Sequence, residues 1–169
     1  MLLRTVHANV LGPALVAQAY LPLLERGAKK TVVNVSSGLA SVGLDLGPKC
    51  ATYSMSKAML NMLVSPAHSS HARLLTLVGA QTYKQKAERP DITAVLIDPG
   101  WVKTGASRVV PVGCVRARGL TMTTRAVMGG EGAVLEVDFS VSHVLKLITS
   151  LTVEDSGKFF LYDGSTIPW

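Results

Sequence analysis

Apolar runs of two different periods alternate along this chain. Short runs rich in β-branched residues are typical of buried strands, and longer amphipathic runs of good helix formers are typical of helices. Predicted strands lie at 31–36, 91–97 and 158–162, and predicted helices at about 3–26 (capped by Gly27), 52–63 (resuming at 82–89) and about 138–150. Strands that alternate with helices in this way predict a parallel sheet with crossover helices, the α/β class.

Two of the predicted strands end in residues suited to a binding site. The first runs from Thr31 into Ser36 and Ser37, and the second is followed directly by Asp98, Pro99 and Gly100. Open α/β sheets place their ligands at the carboxyl ends of strands, and a Pro-Gly turn brings backbone close to whatever lies there. We therefore expect a crevice between these two strand ends.

A tyrosine and a lysine four residues apart give this crevice a chemistry. Tyr53 and Lys57 lie on one face of the predicted helix 52–63. A cationic ammonium near a phenol favours the phenolate, so we expect the pKa of Tyr53 to be lowered and the phenol to exchange a proton near neutral pH. Such a pair also arises by chance, and Ser37 alone could simply terminate a strand; their joint occurrence favours a site.

With these motifs in this order, the chain resembles the short-chain dehydrogenase/reductase family. The resemblance implies that Tyr53 is the catalytic acid/base and also contacts the cofactor, and that Lys57 lowers the pKa of Tyr53 and binds the nicotinamide ribose. It also implies that Ser37 polarises the substrate carbonyl. Asn9 matches the helix residue that holds a proton-relay water near the lysine. The residues that match the segment flanking the nicotinamide carboxamide are Pro99, Gly100, Val102 and Thr104.

The resemblance also implies the rest of the protein's character. It predicts a Rossmann-like doubly wound parallel sheet, NAD or NADP as cofactor, and a small-molecule carbonyl or alcohol substrate, and it allows a homo-oligomer. The tail 157–169 resembles the carbonyl-reductase branch often called sniffer-like or C-factor-like. No Gly-rich turn follows a strand, so we expect a single incomplete NAD(P)-binding domain over 1–169 with the N-terminal half missing.

Composition and charge agree with a globular cytoplasmic domain. The chain has 169 residues, of which 48% are hydrophobic, and its two cysteines lack the spacing of a metal site or a disulfide scaffold. No apolar run is long enough to span a bilayer, so we expect no membrane partner. The net charge is +6, but five of the excess charges are arginines in segments 64–81 and 105–127. Neither segment offers an aromatic side chain to stack on bases, so we expect no nucleic-acid partner.

Those two segments interrupt the fold pattern. Segment 64–81 divides the helix that begins at 52, and its Pro66 cannot continue a helix. Val64-Ser65 can be encoded by a splice-donor-like sequence, and Gln81 by a terminal CAG. We hypothesise that both segments are non-native inserts translated from introns; the alternative is genuine surface loops that act as lids. The spacing of His68 and His71 invites a metal site, but no third ligand stands nearby, so none is predicted.

Two classes of function remain open. The first is an NAD(P)-dependent oxidoreductase, a short-chain dehydrogenase/reductase by resemblance, that acts on a carbonyl or secondary alcohol through Ser37, Tyr53, Lys57 and Asn9. The second is a catalytically inactive fragment from a mis-spliced transcript, at most an interaction partner. The acid/base residues are present and the Gly-rich dinucleotide turn is not, so the sequence does not decide between them.

Overall fold

The computed structural model describes residues 2–44, 46, 50–62, 91–104 and 132–169. The helices are α1 (Leu2–Val6), a π-helical turn (His7–Leu11), α2 (Gly12–Arg26), α3 (Ala51–Met62) and α4 (Val137–Ser150), with short 3₁₀ turns at Gly38–Ala40 and Val153–Asp155. The strands are β1 (Thr31–Val35), β2 (Thr93–Asp98) and β3 (Phe159–Leu161).

The three strands form one parallel sheet in the order β1-β2-β3. β1 pairs with β2 from Thr31 opposite Thr93 to Val35 opposite Ile97, and β2 pairs with β3 from Leu96 opposite Phe159. Because the strands are parallel, the carboxyl ends of all three lie on the same side of the sheet. The predicted α/β class and Rossmann-like parallel sheet are confirmed.

Helices cover both faces of the sheet, as in a doubly wound fold. On one face, Val10, Ala14 and Leu60 of the helices pack against Leu96 and Phe159. On the other face, α4 packs side chains against a second buried cluster, which consists of Val95, Ile97, Leu151 and Phe160. β2 is buried along nearly its whole length because it is the central strand, paired on both edges and covered on both faces.

A π-helical turn joins α1 to α2 at the residues around Asn9. The Gly12 N–H bonds to the His7 carbonyl, five residues back, instead of the carbonyl four residues back. Pro13 follows and has no N–H to donate to the Asn9 carbonyl. The helix therefore widens for one turn at this point, a feature that often accompanies functional sites.

Most predicted boundaries agree with the structure to within two residues. The helix at about 3–26 is observed as a nearly continuous helical run with its C-cap at Gly27. The second strand begins at Thr93 instead of residue 91, because Asp91 lies in a turn. The predicted helix continuation 82–89 and both predicted inserts, 64–81 and 105–127, lie outside the described residues.

Candidate active site

Ser37 lies immediately beyond the carboxyl end of β1. Its backbone is extended, with φ −159° and ψ 144°, and its hydroxyl caps the short 3₁₀ turn by accepting from the Leu39 N–H at 3.3 Å. The neighbouring Ser36 N–H bonds to the Ile97 carbonyl at 2.8 Å, which prolongs the β1–β2 pairing by one residue. The position of Ser37 is thus fixed by the sheet on one side and by the turn on the other.

Tyr53 and Lys57 face this strand end from α3. The Tyr53 phenol interacts with the Ser37 hydroxyl, and the Lys57 Nζ lies 5.8 Å from the centroid of the Tyr53 ring. Nζ also donates a hydrogen bond to the Val35 carbonyl at 2.8 Å, at the last residue of β1. The structure thus brings Ser37, Tyr53 and Lys57 together at the carboxyl end of β1.

The predicted lowering of the Tyr53 pKa is wrong for this structure. The pKa of Tyr53 is raised to about 12, mainly because the phenol is buried; the hydrogen bond with Ser37 lowers this pKa, and the negative charge of Asp98 contributes to raising it. Burial also lowers the pKa of Lys57. The ammonium is bound to a backbone carbonyl, so its attraction for a phenolate does not outweigh the loss of hydration.

The Pro99–Gly100 turn follows β2 and is held by the segment that leads into α4. Gly100 has φ +79°, and a Cβ added there would lie 2.5 Å from Leu135 Cδ1. The Ser140 hydroxyl donates to the Pro99 carbonyl at 2.7 Å, and Val102 forms a parallel bridge with Leu135. Only glycine fits this turn, because it combines a left-handed backbone with a close neighbour.

Val102 and Thr104 continue from the same turn. Val102 is half-buried and Thr104 is exposed, and the Thr104 N–H bonds to the Val102 carbonyl at 2.8 Å. Between them, Lys103 pairs with Glu136 and its N–H bonds to the Leu135 carbonyl at 2.9 Å. The segment is therefore anchored to the start of α4 while Thr104 remains open to solvent.

Asn9 approaches α3 from the π-helical turn, and its side-chain amide forms a hydrogen bond with that helix. The Asn9 Nδ2 donates to the Ser56 hydroxyl at 2.9 Å, and Ser56 donates in turn to the Tyr53 carbonyl at 2.8 Å. Asn9 is thus coupled to the turn of α3 that carries Tyr53, and it reaches that turn through Ser56, which the sequence analysis did not single out.

Asp98 is a further residue of the site to which sequence reasoning assigned no role. Its carboxylate accepts from the Gly38 N–H at 2.6 Å and from the Gly100 N–H at 2.8 Å. An aspartate before Pro-Gly is a turn-forming signal, which could have predicted the second bond. The first bond joins residues 60 apart in the chain, and no local pattern predicts it.

Among the residues that the structure describes, every helix is too short or too polar to span a bilayer. Within the same residues, no group of three or more His, Cys, Asp or Glu side chains is placed to hold a metal ion.

Comparison with known proteins identifies the family. The sequence model of the short-chain dehydrogenases matches residues 2–112. The C-signal protein of Myxococcus xanthus is 32% identical over 167 residues, which cover 98% of this chain and 77% of that protein. The chain belongs to the short-chain dehydrogenase/reductase family.

Other relatives are longer than this chain. The short-chain dehydrogenase srdF of Neurospora crassa is 31% identical, and the match covers 99% of this chain and 56% of srdF. Among solved structures, the carbonyl reductase Sniffer of D. melanogaster superposes with a TM-score of 0.66 at 28% identity over 99% of this chain and 57% of its own. An NADPH-bound carbonyl reductase from chicken fatty liver gives 0.65 at 26% identity, with coverage of 99% and 57%. The chain thus spans little more than half the length of these three.

Proposed function

We propose that this chain carries the proton-transfer side of an NAD(P)-dependent oxidoreductase site that acts on carbonyls or secondary alcohols. The observation that carries the proposal is the meeting of the Ser37 hydroxyl, the Tyr53 phenol and the Lys57 ammonium at the carboxyl end of β1. Family membership supports it, and two of the structural relatives are carbonyl reductases by name.

The described residues fit the nicotinamide end of such a cofactor. The Lys57 ammonium has three N–H donors, and its one hydrogen bond among the described residues goes to Val35, which leaves donors for ribose hydroxyls. The Gly100 turn is held in place, because Leu135 and Tyr162 pack where a Cβ at this position would lie. Pro99, Val102 and Thr104 would flank the carboxamide. A bound nicotinamide would supply or accept the hydride.

The raised pKa of Tyr53 suits the reductive direction. A phenol with a pKa of about 12 is protonated at neutral pH, so it can donate its proton to the oxygen of a carbonyl as that oxygen becomes an alkoxide, which is a stronger base than a phenolate. Ser37 would donate a hydrogen bond to the same oxygen and stabilise its developing charge. Asn9, which is coupled to α3 through Ser56, would keep α3 in position. Its main-chain carbonyl, in the π-helical turn, would accept a hydrogen bond from a water near Lys57.

The experiment is NAD(P)H-dependent reduction of a panel of aldehydes and ketones. We expect Tyr53→Phe to reduce turnover by about 10² to 10⁴, the size of a lost general acid. Tyr20→Phe is the matched control, because Tyr20 is an exposed phenol on α2, and it should leave turnover unchanged. Because the described residues contain no strand, Gly-rich turn and helix for the pyrophosphate, both variants are made in a fusion that joins this chain in frame behind those elements of a carbonyl-reductase relative. Undiminished turnover in Tyr53→Phe would refute the proposal.

A second candidate is a catalytically inactive fragment that acts through contacts with other proteins. One observation favours it: the described residues contain no strand, Gly-rich turn and helix that could hold a pyrophosphate. One relative, C-signal, is named as a signal and not as an enzyme. Cofactor binding by residues 1–169 alone would exclude this candidate.

A further inference from the structure

The Asp98 carboxylate lies between two turns that belong to different strands. One oxygen, Oδ2, accepts from the Gly38 N–H at 2.6 Å, and the other, Oδ1, accepts from the Gly100 N–H at 2.8 Å. Gly38 directly follows Ser37, whereas Gly100 belongs to the turn after β2. A single side chain therefore bonds to both strand ends of the candidate site.

This arrangement exceeds what a turn aspartate needs. An aspartate that merely forms its own turn bonds to a backbone N–H two residues on, which the bond to Gly100 already provides. The bond to Gly38 reaches across to β1, and hydrogen bonds to an ionised carboxylate are among the stronger ones in proteins. Gly38 is buried, and a Cβ added there would lie 3.0 Å from Asp98 Oδ2, tight enough to disturb the contact.

We propose that Asp98 is a positioning residue that ties the Ser37 turn to the Pro99–Gly100 turn and so keeps the Ser37 hydroxyl beside the Tyr53 phenol. The inference rests on the proposed function, because it assigns Ser37 and Tyr53 their meaning. The charge of Asp98 also raises the pKa of Tyr53 directly, and the second test below separates this electrostatic effect from positioning. Asp98 touches neither substrate nor proton in this account; it acts through Ser37.

The first test uses the unaltered 169-residue chain labelled with ¹⁵N-glycine. The amide protons of Gly38 and Gly100 should both shift during acid titration, and with one shared midpoint, because one carboxylate accepts from both. Asp98→Asn should abolish both titrations. The control is Asp155→Asn: Asp155 also accepts a backbone N–H, that of Thr152 at 2.9 Å, within its own turn, so both glycine titrations should persist. Separate midpoints, or no titration at Gly38, would overturn the proposal without any variant having to fold.

The second test asks whether Asp98 acts through Ser37 or only through its charge. The titration midpoint of Tyr53 is measured by ¹³C-tyrosine resonance in the unaltered chain, in Asp98→Asn, in Ser37→Ala and in the double variant. If Asp98 positions Ser37, the shift caused by Asp98→Asn should differ between the two Ser37 backgrounds by about half a pH unit or more, the size of an ordinary hydrogen bond.

Equal shifts in the two backgrounds would show a purely electrostatic effect and overturn the proposal. Neither test needs cofactor or turnover. Failure of the proposed function, seen as undiminished activity in Tyr53→Phe, is therefore distinguishable from failure of this inference, seen in the glycine and tyrosine resonances.

Discussion

The state of Tyr53 decides what the candidate site can do. Its neighbours act in opposite directions: burial and the charge of Asp98 raise the pKa of the phenol, while Ser37 lowers it. Burial has the largest effect, because a phenolate loses more hydration than a phenol when solvent is excluded. At neutral pH the Tyr53 phenol is therefore protonated, and it can give up its proton only to a stronger base.

We predict that the Tyr53 phenol ionises with a midpoint near 12. ¹³C-tyrosine resonances recorded between pH 8 and pH 13 would measure it, and Tyr53→Phe should remove that late titration while Tyr20→Phe leaves it in place. An ionisation of Tyr53 at or below its reference value of about 10 would contradict the structure.

The same pKa predicts a dependence of stability on alkaline pH. A pKa that is raised in the folded state, to about 12, gives a stabilisation that is complete below the unfolded value of about 10 and is lost as pH rises from there through the folded value. Tyr53→Phe should lose less stability than the unaltered chain between these two pH values. Urea unfolding at several alkaline pH values would measure the difference; parallel curves for both proteins would refute it.

At the scale of elements, α4 carries two serines, one that bonds to the Pro99–Gly100 turn and one that bonds within its own helix. Ser140 is buried, and its hydroxyl donates to the Pro99 carbonyl at 2.7 Å. Ser142 is exposed, and its hydroxyl donates to the Phe139 carbonyl within α4 at 2.9 Å. We predict that Ser140→Ala lowers the free energy of unfolding by about 1 to 3 kcal/mol, since it leaves a carbonyl without its donor. Ser142→Ala should change it by less than about 0.5 kcal/mol. Equal effects in urea unfolding would show that the Pro99 contact is not stabilising.

The Pro99–Gly100 turn makes a second prediction at this scale. Gly100→Ala must adopt φ +79° and place its Cβ against Leu135, so we expect a loss of about 1 to 3 kcal/mol in the free energy of unfolding. Gly12→Ala is the control, because Gly12 is helical with φ −54° and its nearest neighbour to an added Cβ is 3.5 Å away. That substitution should be neutral or stabilising. A tolerated Gly100→Ala would mean that this turn can rearrange.

The elements were predictable because their patterns are local. β2 is an apolar run since it is buried on both faces, and α4 packs Val144, Leu147 and Ile148 against the sheet. The π-helical turn was missed: it depends on the missing N–H of Pro13 within a run that otherwise reads as one helix. The site residues could be proposed from strand ends and spacing, but the role of Asp98 and the direction of the Tyr53 pKa depend on burial and on contacts between distant segments, which no spacing reveals.

At the scale of the whole molecule, the two outer edges of the sheet differ: on the outer edge of β3, Phe160 forms an antiparallel bridge with Thr166. Among the described residues, β1 pairs only with β2, so its other edge is not covered by a described strand. Beside β1 and α2 lies an apolar groove of about 370 Å³, which is lined by Pro13, Val16, Ala17, Val32, Val33, Asn34, Val35 and Leu60. Parallel sheets are normally covered on both faces and continue until they meet a capped edge. This edge is where further parallel strands would join.

We predict that residues 1–169 by themselves bind neither NAD nor NADP measurably, because the described residues contain no strand, Gly-rich turn and helix for the pyrophosphate. Joining the chain in frame behind the strand, Gly-rich turn and helix of a carbonyl-reductase relative should restore binding, which calorimetry with NADPH would measure.

The fusion should be made with and without residues 64–81 and 105–127; if these are inserts, the shorter version should be the more active. In the active fusion, Tyr53→Phe should reduce carbonyl turnover by about 10² to 10⁴ while NADPH affinity changes far less, since the phenol moves the proton and is only one of several predicted cofactor contacts. Cofactor binding by the unextended chain would contradict the first part, and a fusion that binds NADPH but reduces no carbonyl would favour the inactive fragment.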